Sequence, residues 1–159
     1  MGNNESHGKD SRPAEHPSHK SHSSHLSEDP VTLGLPHRKP FLFVDRVTGH
    51  VPGTEARGEV TLAMEDPMFA GHFPGNPIVP GVILTEALAQ VAGIAGSSKT
   101  GFLLSSIRAM KFPSPARPGE KILLRAMKTG SLGGLHQFSV AAEVEGRIVA
   151  EGQVVLNEL

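Results

Sequence analysis

The residue types that this chain lacks exclude several kinds of protein. There is no cysteine among the 159 residues, so disulfide frameworks and thiolate metal sites are excluded. Tryptophan and tyrosine are also absent, and aromatic residues make up only 4% of the sequence. Proteins that bind single-stranded nucleic acids stack the bases on aromatic side chains. We therefore expect no function of that kind.

The chain also has little net charge and no long hydrophobic run. Its formal net charge is −1 and its isoelectric point is about 6.8, without the basic excess that nucleic-acid binding needs. No segment has the charged start and apolar core of a secretory signal. The longest apolar run, residues 82–96, is too short and too rich in Ala and Gly for a membrane span. We expect one domain with a real hydrophobic core, in the cytoplasm.

Residues 1–30 differ in composition from the rest of the chain. They are rich in Ser, His, Lys and Pro and contain almost no large apolar side chain, so burial cannot offset the entropy of ordering them. We predict a disordered tail over residues 1–30 and a folded domain over residues 31–159. The tail holds five of the nine histidines. This composition fits a metal-binding tract or a soluble tail that binds metal adventitiously, whereas its acidic residues disfavour a plastid-type targeting peptide.

One stretch, residues 69–90, has an unusual pattern: FAGHFPGNPIVPGVILTEALAQ. Proline and glycine recur so often over residues 72–80 that no regular element fits there, and the prolines stiffen the loop. Residues 82–96 are apolar at all but three positions. Their length, with Leu and many Ala, favours a helix that is buried on nearly every side.

Two groups in this stretch can move protons. Glu86 is a carboxyl group on the predicted buried helix, where the ionised form is costly unless it is paired, which suits a general acid. Gln90 lies one turn later on the same face and could hold it. His72 lies in the stiff loop and could act as a base, while the N–H of Gly81 or Val82 at the helix start could hold a carbonyl oxygen that gains negative charge.

These residues also carry a family resemblance. The segment GHFPGNPIVPGVILTEALAQ closely resembles the active-site segment of the FabZ family, the 3-hydroxyacyl-acyl-carrier-protein dehydratases. LPHRKPFLFVDRV at residues 35–47 and KFPSPARPGEKILL at residues 111–124 resemble further segments of that family. Together the likeness runs from about residue 33 to the C-terminus.

The resemblance implies an α+β hotdog fold, in which an antiparallel sheet wraps around one long helix. Outside the helix we predict strands at residues 41–51, 54–64, 103–112, 121–129, 135–144 and 148–156. The family forms homodimers, and a homohexamer, as a trimer of dimers, is left open. The implied reaction is that of a lyase: dehydration of (3R)-3-hydroxyacyl-acyl-carrier-protein to trans-2-enoyl-acyl-carrier-protein in the synthesis of fatty acids or related lipids and polyketides.

The resemblance also implies roles for individual residues. It assigns the catalytic roles to His72 and Glu86. In the family, the His and the Glu of one site come from different subunits. Substrate binding falls to Phe73, Pro80, Gly81, Val82 and Gln90. We expect no metal and no cofactor of the enzyme itself, because the phosphopantetheine arrives with the acyl carrier protein.

Some features depart from the family pattern or leave its function open. Asn76 replaces the commoner second His of the loop, Lys39 replaces an aromatic residue, and the absence of tyrosine leaves Phe102 or Phe112 to gate an acyl tunnel. A hotdog thioesterase, an enoyl-CoA hydratase and a non-catalytic acyl-carrier-binding module are the alternatives. For His37 the sequence favours a structural role over one in the site.

Basic residues predominate in one part of the chain. Seven of them occur between Lys99 and Lys128, where Glu120 is the only acidic residue. Such a face would steer an acidic carrier protein, or it is an ordinary solvated strand surface.

Overall fold

The computed structural model describes residues 1–2 and 27–159. Most of the predicted tail, including its five histidines, therefore lies outside the described residues. Glu28 already pairs with the domain: its N–H donates to the Val47 carbonyl at 2.9 Å, and its carbonyl accepts from the Val47 N–H at 2.8 Å. The Pro30 side chain is fully buried. These residues already belong to the packed domain, although composition assigned them to the tail.

The described chain forms six strands and two helices. The strands are β1 (Arg46–Val51), β2 (Glu55–Thr61), β3 (Phe102–Lys111), β4 (Lys121–Leu132), β5 (Leu135–Val144) and β6 (Arg147–Glu158). The helices are the four-residue α1 (Met68–Gly71) and the long α2 (Gly81–Gly96). The helix predicted at residues 82–96 corresponds to α2, which begins one residue earlier. The other differences between the predicted and the observed elements concern the ends of strands.

All six strands form one antiparallel sheet in the order β1-β2-β4-β5-β6-β3. Tight turns connect β4 to β5 and β5 to β6. The first turn needs a left-handed backbone at both Gly133 and Gly134, with φ of +55° and +82°, which glycine adopts at no steric cost. Because β3 comes directly after α2 but pairs with β6, the connection carries the chain to the far edge of the sheet.

Helix α2 lies against one face of this sheet, and together they form the core. Ten of its residues are buried, from Leu84 to Ala95. Alternate residues of β4 and β5 point towards it, among them the fully buried Ile122, Leu124 and Phe138. The alternation in these strands matches a sheet with one face covered and one face in water. The structure confirms the predicted α+β hotdog architecture.

The first predicted strand, residues 41–51, is wrong over its first five residues. The sequence FLFVD has the composition of a strand, but β1 begins only at Arg46. The Phe43 N–H donates to the side-chain oxygen of Gln90 at 2.9 Å, and the Phe41 carbonyl accepts from the Gln90 amide at 3.0 Å. A helix side chain thus uses the backbone groups that a strand would have paired.

The sheet has two edges, β1 and β3. Strand β3 is the more apolar of the two, because Leu103, Leu104 and Ile107 are 57%, 42% and 51% exposed. A long apolar edge strand is a surface on which a further chain can pair. Within the described residues, no helix combines the length and apolar character that a membrane span needs.

Candidate active site

The structure fixes the tautomer of His72. Its Nδ1 lies 3.0 Å from the Ile78 carbonyl oxygen. Since a carbonyl only accepts, Nδ1 carries a proton, and in the neutral ring Nε2 keeps a lone pair. The Ile78 N–H donates in turn to the His72 carbonyl at 3.0 Å, and the Phe73 ring stacks on the imidazole with centroids 4.1 Å apart. The loop therefore holds the imidazole in one orientation, in which Nε2 is the nitrogen without a proton whenever the ring is neutral.

Gly81 lies beside His72 at the start of α2. Among the residues that the structure describes, none accepts a hydrogen bond from the N–H of Gly81 or Val82, and the first bonds of the helix run from Ile83 and Leu84 to the Pro80 carbonyl. A Cβ on Gly81 would lie 3.0 Å from the Phe112 ring. A side chain at position 81 would therefore require the Phe112 ring to shift by a few tenths of an ångström.

His72 and Gly81 line the same cavity, which we call the His72 cavity. Its wall also includes Leu84, Phe112, Pro113 and Ala116. The Val79 N–H donates to the Ala116 carbonyl at 2.8 Å, which ties the loop that carries His72 to the segment after β3. The cavity thus places the His72 imidazole near the positive end of a helix dipole.

Glu86 and Gln90 lie together on another face of α2, as their spacing predicts. The Gln90 Nε2 donates to Glu86 Oε1 at 3.0 Å. Gln90 is 1% exposed, and the Glu86 side chain is 21% exposed. Because the buried Phe43 N–H donates to the Gln90 oxygen, the Gln90 amide can be placed in only one way, with its NH₂ group towards Glu86.

His37 is the residue that sequence reasoning missed. Its Nε2 lies 3.5 Å from Glu86 Oε1, and its ring is stacked against Phe41 with centroids 6.2 Å apart. The sequence favoured a structural role because a single histidine in a loop carries little information. Its place in the LPHR segment of the resemblance was the one available signal.

The Glu86 cavity is formed by α2, the segment before β1 and the start of β3. It has a volume of about 260 Å³. Its polar side chains are those of Glu86, Gln90, His37, Ser97 and Ser98, and the apolar wall includes Leu33, Leu35, Phe41, Ala89, Phe102 and Leu104. A mostly apolar cavity with a few convergent polar groups is typical of a small-molecule site.

A second carboxylate, that of Glu158, lies near one end of the Glu86 cavity but is not part of its wall. The Ser98 hydroxyl and the neighbouring His136 lower the pKa of Glu158 below its ordinary value, although burial opposes them. The His136 Nε2 lies 3.3 Å from Glu158 Oε2. This pair packs behind Phe102, whose ring meets the His136 ring edge-on at 5.2 Å.

Within one chain, the predicted site residues fall into two groups. His72 and Gly81 line one cavity, and Glu86 and Gln90 line the other. Phe73 is 49% exposed beside His72, and Val82 is 75% exposed at the helix start. Pro80 is the N-cap residue of α2. The structure of a single chain does not bring His72 and Glu86 into one cavity.

Solved structures with the same fold are similar to this one. One is the dehydratase heterocomplex ApeI:P from Xenorhabdus doucetiae, with a TM-score of 0.68, 16% identity, and coverage of 82% of this chain and 91% of that chain. Another is an uncharacterized protein, PH1136, from Pyrococcus horikoshii, with a TM-score of 0.61, 20% identity, and coverage of 76% and 87%. At these identities the likeness establishes the fold alone.

Sequence comparison identifies the family. Residues 35–158 match the model of the FabA-like domain. The 3-hydroxyacyl-[acyl-carrier-protein] dehydratase FabZ of Geobacter metallireducens is 39% identical over 127 residues, which cover 76% of this chain and 85% of that protein. The FabZ of Nitratidesulfovibrio vulgaris is 41% identical over 124 residues, with coverage of 74% and 80%. The chain therefore belongs to the FabZ-type 3-hydroxyacyl-acyl-carrier-protein dehydratases, a family of hydro-lyases in fatty acid biosynthesis.

Proposed function

We propose that this chain dehydrates 3-hydroxyacyl-acyl-carrier-protein with His72 as the base and Glu86 as the acid. His72 Nε2 takes a proton from C2, and the electrons of that C–H bond form the C2=C3 double bond. Glu86 gives its proton to the C3 hydroxyl, the C3–O bond breaks, and water leaves. Return of a proton from the imidazolium to the Glu86 carboxylate, through solvent, restores the starting state.

The observation that carries this proposal most directly is the hydrogen bond between His72 Nδ1 and the Ile78 carbonyl. It leaves Nε2 unprotonated in the neutral ring, as a general base requires. Glu86 has the complementary arrangement. Its Oε1 accepts from Gln90, which leaves Oε2 to hold the proton that the hydroxyl group needs to leave as water.

The third requirement is a donor for the thioester oxygen. Removal of the C2 proton places negative charge on that oxygen, and a preorganised N–H stabilises it. We assign this role to the N–H of Gly81, supported by that of Val82, because both lie at the positive end of α2. We assign to the substrate-binding surface Phe73, whose ring stacks on His72, and Pro80, the N-cap residue of α2, and Gln90 orients Glu86.

The complete site would form between two copies of the chain. Strand β3 runs from the Glu86 cavity, which Phe102 and Leu104 line, to Phe112 in the His72 cavity. If two β3 edges pair antiparallel about a two-fold axis, the Phe112 end of each strand meets the Phe102 end of the other. The His72 cavity of one subunit would then face the Glu86 cavity of its partner. Phe102 and Phe112 would both border the acyl path.

The proposed partner is an acidic acyl carrier protein. Arg108 and Lys111 lie on β3 close to the His72 cavity, and both are exposed. Of the other basic residues in this region, Arg117 donates to Asn76 at 2.9 Å and Lys121 pairs with Glu59 at 3.5 Å. Opposite charge at the entrance would increase the rate of encounter. The absence of a cofactor, the cytoplasmic location and a hexamer stay predictions.

Two single substitutions test the catalytic pair. His72→Ala removes the base, and Glu86→Gln keeps the shape and the acceptor oxygen for Gln90 but removes the proton. Each should lower turnover of a 3-hydroxybutyryl-carrier thioester by at least about 10²-fold, the usual contribution of one acid or base. Circular dichroism and the urea midpoint check folding. A folded variant with near wild-type turnover would refute the role of that residue, and release of free thiol would indicate a thioesterase.

A mixing experiment tests the shared site. Equal amounts of the His72→Ala and Glu86→Gln chains are unfolded together and refolded. If each site takes one residue from each subunit, half of the dimers are mixed and each has one intact site. Activity should then return to about a quarter of the wild-type value, as random pairing of a two-fold dimer requires. No recovery, with mixed dimers shown by native mass spectrometry, would show that each subunit has its own complete site.

A further inference from the structure

We infer that His37 is a positioning residue for Glu86. Together with Gln90, His37 holds Oε1 of the Glu86 carboxyl group, so that the mobile proton is carried by Oε2. This inference rests on the proposed function, because it assumes that Glu86 is the acid. It adds a residue to which neither the sequence pattern nor the family match gives a role in this chain.

The two oxygens of Glu86 have different surroundings. Oε1 accepts from the Gln90 amide at 3.0 Å and lies 3.5 Å from His37 Nε2. No residue of the described chain donates a hydrogen bond to Oε2. A carboxylic acid that accepts from N–H groups at one oxygen keeps its own proton on the other. The side chain therefore has one anchored oxygen and one reactive oxygen.

The surroundings of His37 set which nitrogen carries the proton of the neutral ring. Its Nδ1 is buried and has no hydrogen-bond partner among the described residues, and a buried N–H without an acceptor costs free energy. The neutral ring therefore carries its proton on Nε2, which lies 3.5 Å from Glu86 Oε1. This contact is longer than the Gln90 hydrogen bond of 3.0 Å, so His37 acts on Glu86 as a nearby N–H dipole.

The segment around His37 is held firmly enough to position the ring. The Arg38 guanidinium donates to the carbonyls of Leu35 and His37 at 3.0 Å and 2.8 Å. On the other side the ring meets Phe41, whose carbonyl accepts from Gln90. His37 and Gln90 are therefore parts of one connected arrangement around Glu86.

The role of His37 would be greatest in the transition state. Glu86 starts as a neutral acid and becomes a carboxylate as its proton moves to the C3 hydroxyl. The charge that appears on Oε1 is stabilised by the hydrogen bond from Gln90, which is stronger when the acceptor is charged, and by the His37 N–H 3.5 Å away. Loss of His37 should therefore lower kcat more than it changes KM.

Few other ionisable groups face this pair. Among the residues that line the Glu86 cavity, His37 and Glu86 are the two that titrate. Arg38 contacts the His37 carbonyl from the same segment, and in the proposed dimer the partner subunit's His72 would complete the set.

Two substitutions separate positioning from packing. His37→Phe keeps a ring against Phe41 but removes the donor, whereas His37→Gln keeps a neutral donor that does not titrate. His136→Gln is the matched control, because that histidine also has a buried, unpartnered Nδ1 and a carboxylate neighbour but lies outside the cavity wall. Glu86→Gln is measured in the same series, with kcat and KM for a 3-hydroxybutyryl-carrier thioester from pH 5 to pH 9.

The expected result is a loss in His37→Phe that His37→Gln restores. His37→Phe should lower kcat by roughly 10- to 100-fold, the effect of one hydrogen bond to a charged group, with KM within about twofold. His37→Gln should keep kcat within about threefold, while His136→Gln leaves kcat, KM and the profile unchanged.

Three results would overturn the inference. Wild-type kcat and profile in both His37 variants would show that His37 has no role, and a loss in His37→Gln as large as or larger than that in His37→Phe would show that the donor is not what Glu86 needs. Inactivity of His37→Gln to the level of Glu86→Gln would make His37 a proton-transfer group. Full activity of Glu86→Gln would instead contradict the proposed function itself.

Discussion

At the scale of single residues, hydrogen bonds decide which atoms are reactive. The sequence indicates His72 and Glu86 as the groups that can move protons, and the spacing of Gln90 predicts its contact with Glu86. It does not say which nitrogen of His72 is basic or which oxygen of Glu86 is anchored. Those choices depend on the Ile78 carbonyl and on backbone groups of Phe41 and Phe43.

Another carboxylate, Glu59 on β2, shows the same dependence on neighbours. Its Oε1 accepts from Arg46 Nε at 2.7 Å, and Lys121 lies 3.5 Å away. Burial alone would raise the pKa of Glu59, but the hydrogen bond and charge of Arg46, with those of Lys121, hold it below its ordinary value. The folded state therefore favours the ionised form.

The stabilising effect of Glu59 should consequently depend on pH. A carboxyl group with a lowered folded pKa stabilises above its unfolded pKa, and the effect is lost as the pH falls through the lower folded value. Glu59→Gln should reduce the free energy of unfolding at pH 7 by up to about 1 kcal/mol, the usual limit for a surface ion pair. Urea unfolding of both proteins at pH 7 and pH 3 measures this.

At pH 3 the two proteins should approach equal stability. A difference that stays constant across this range would show that Glu59 acts through packing and not through its charge.

At the scale of elements, the close approach of β3 to β6 depends on the absence of a side chain at Gly152. An ideal Cβ there would collide with Met110 Sδ, lie 2.9 Å from the Met110 Cα and lie 3.1 Å from the Arg108 carbonyl oxygen. The sulfur can move, but the Cα cannot move unless the strand does. The register of β3 on β6 shifts between Arg108 and Lys111, next to this contact.

Gly152→Ala should therefore destabilise the fold. Overpacking by one methyl group against backbone costs about 1–3 kcal/mol. We expect a lower urea midpoint and weaker protection of the β3 amides from hydrogen exchange. The matched control is Gly130→Ala on β4, where an added Cβ meets nothing within 4 Å.

Gly130→Ala should change the free energy of unfolding little, because nothing needs to move. Equal effects of the two substitutions would show that the contact with β3 is not what requires glycine at position 152.

At the scale of the whole molecule, the exposed β3 edge is the feature that a single chain leaves incomplete. It is apolar, it borders both cavities, and it lies at the end of the sheet. A sheet edge of this kind is normally covered or paired. In the proposed dimer the same contact would cover the edge and bring His72 and Glu86 together.

Ile107→Lys tests this edge, because Ile107 lies in the middle of β3 and is 51% exposed. Two lysines near a two-fold axis would repel each other and resist burial, so we expect monomers and a loss of activity without loss of folding. Analytical ultracentrifugation and turnover measure the two effects. The matched control is Leu123→Lys, since Leu123 is 46% exposed on β4, away from the edge.

Leu123→Lys should remain dimeric and active. An Ile107→Lys protein that is still dimeric and fully active would contradict pairing through β3.

The sequence by itself determined the local features of this protein. Helix α2, the turn at Gly133 and Gly134, and the candidate acid and base depend on backbone preferences and on side-chain chemistry within a few residues. Only the tertiary structure decided the rest. It set the start of β1 at Arg46 instead of residue 41, brought His37 to Glu86, and separated His72 from Glu86 within one chain. These contacts join segments that are far apart in the chain, and periodicity carries no information about which distant backbone group or side chain will fill a given position.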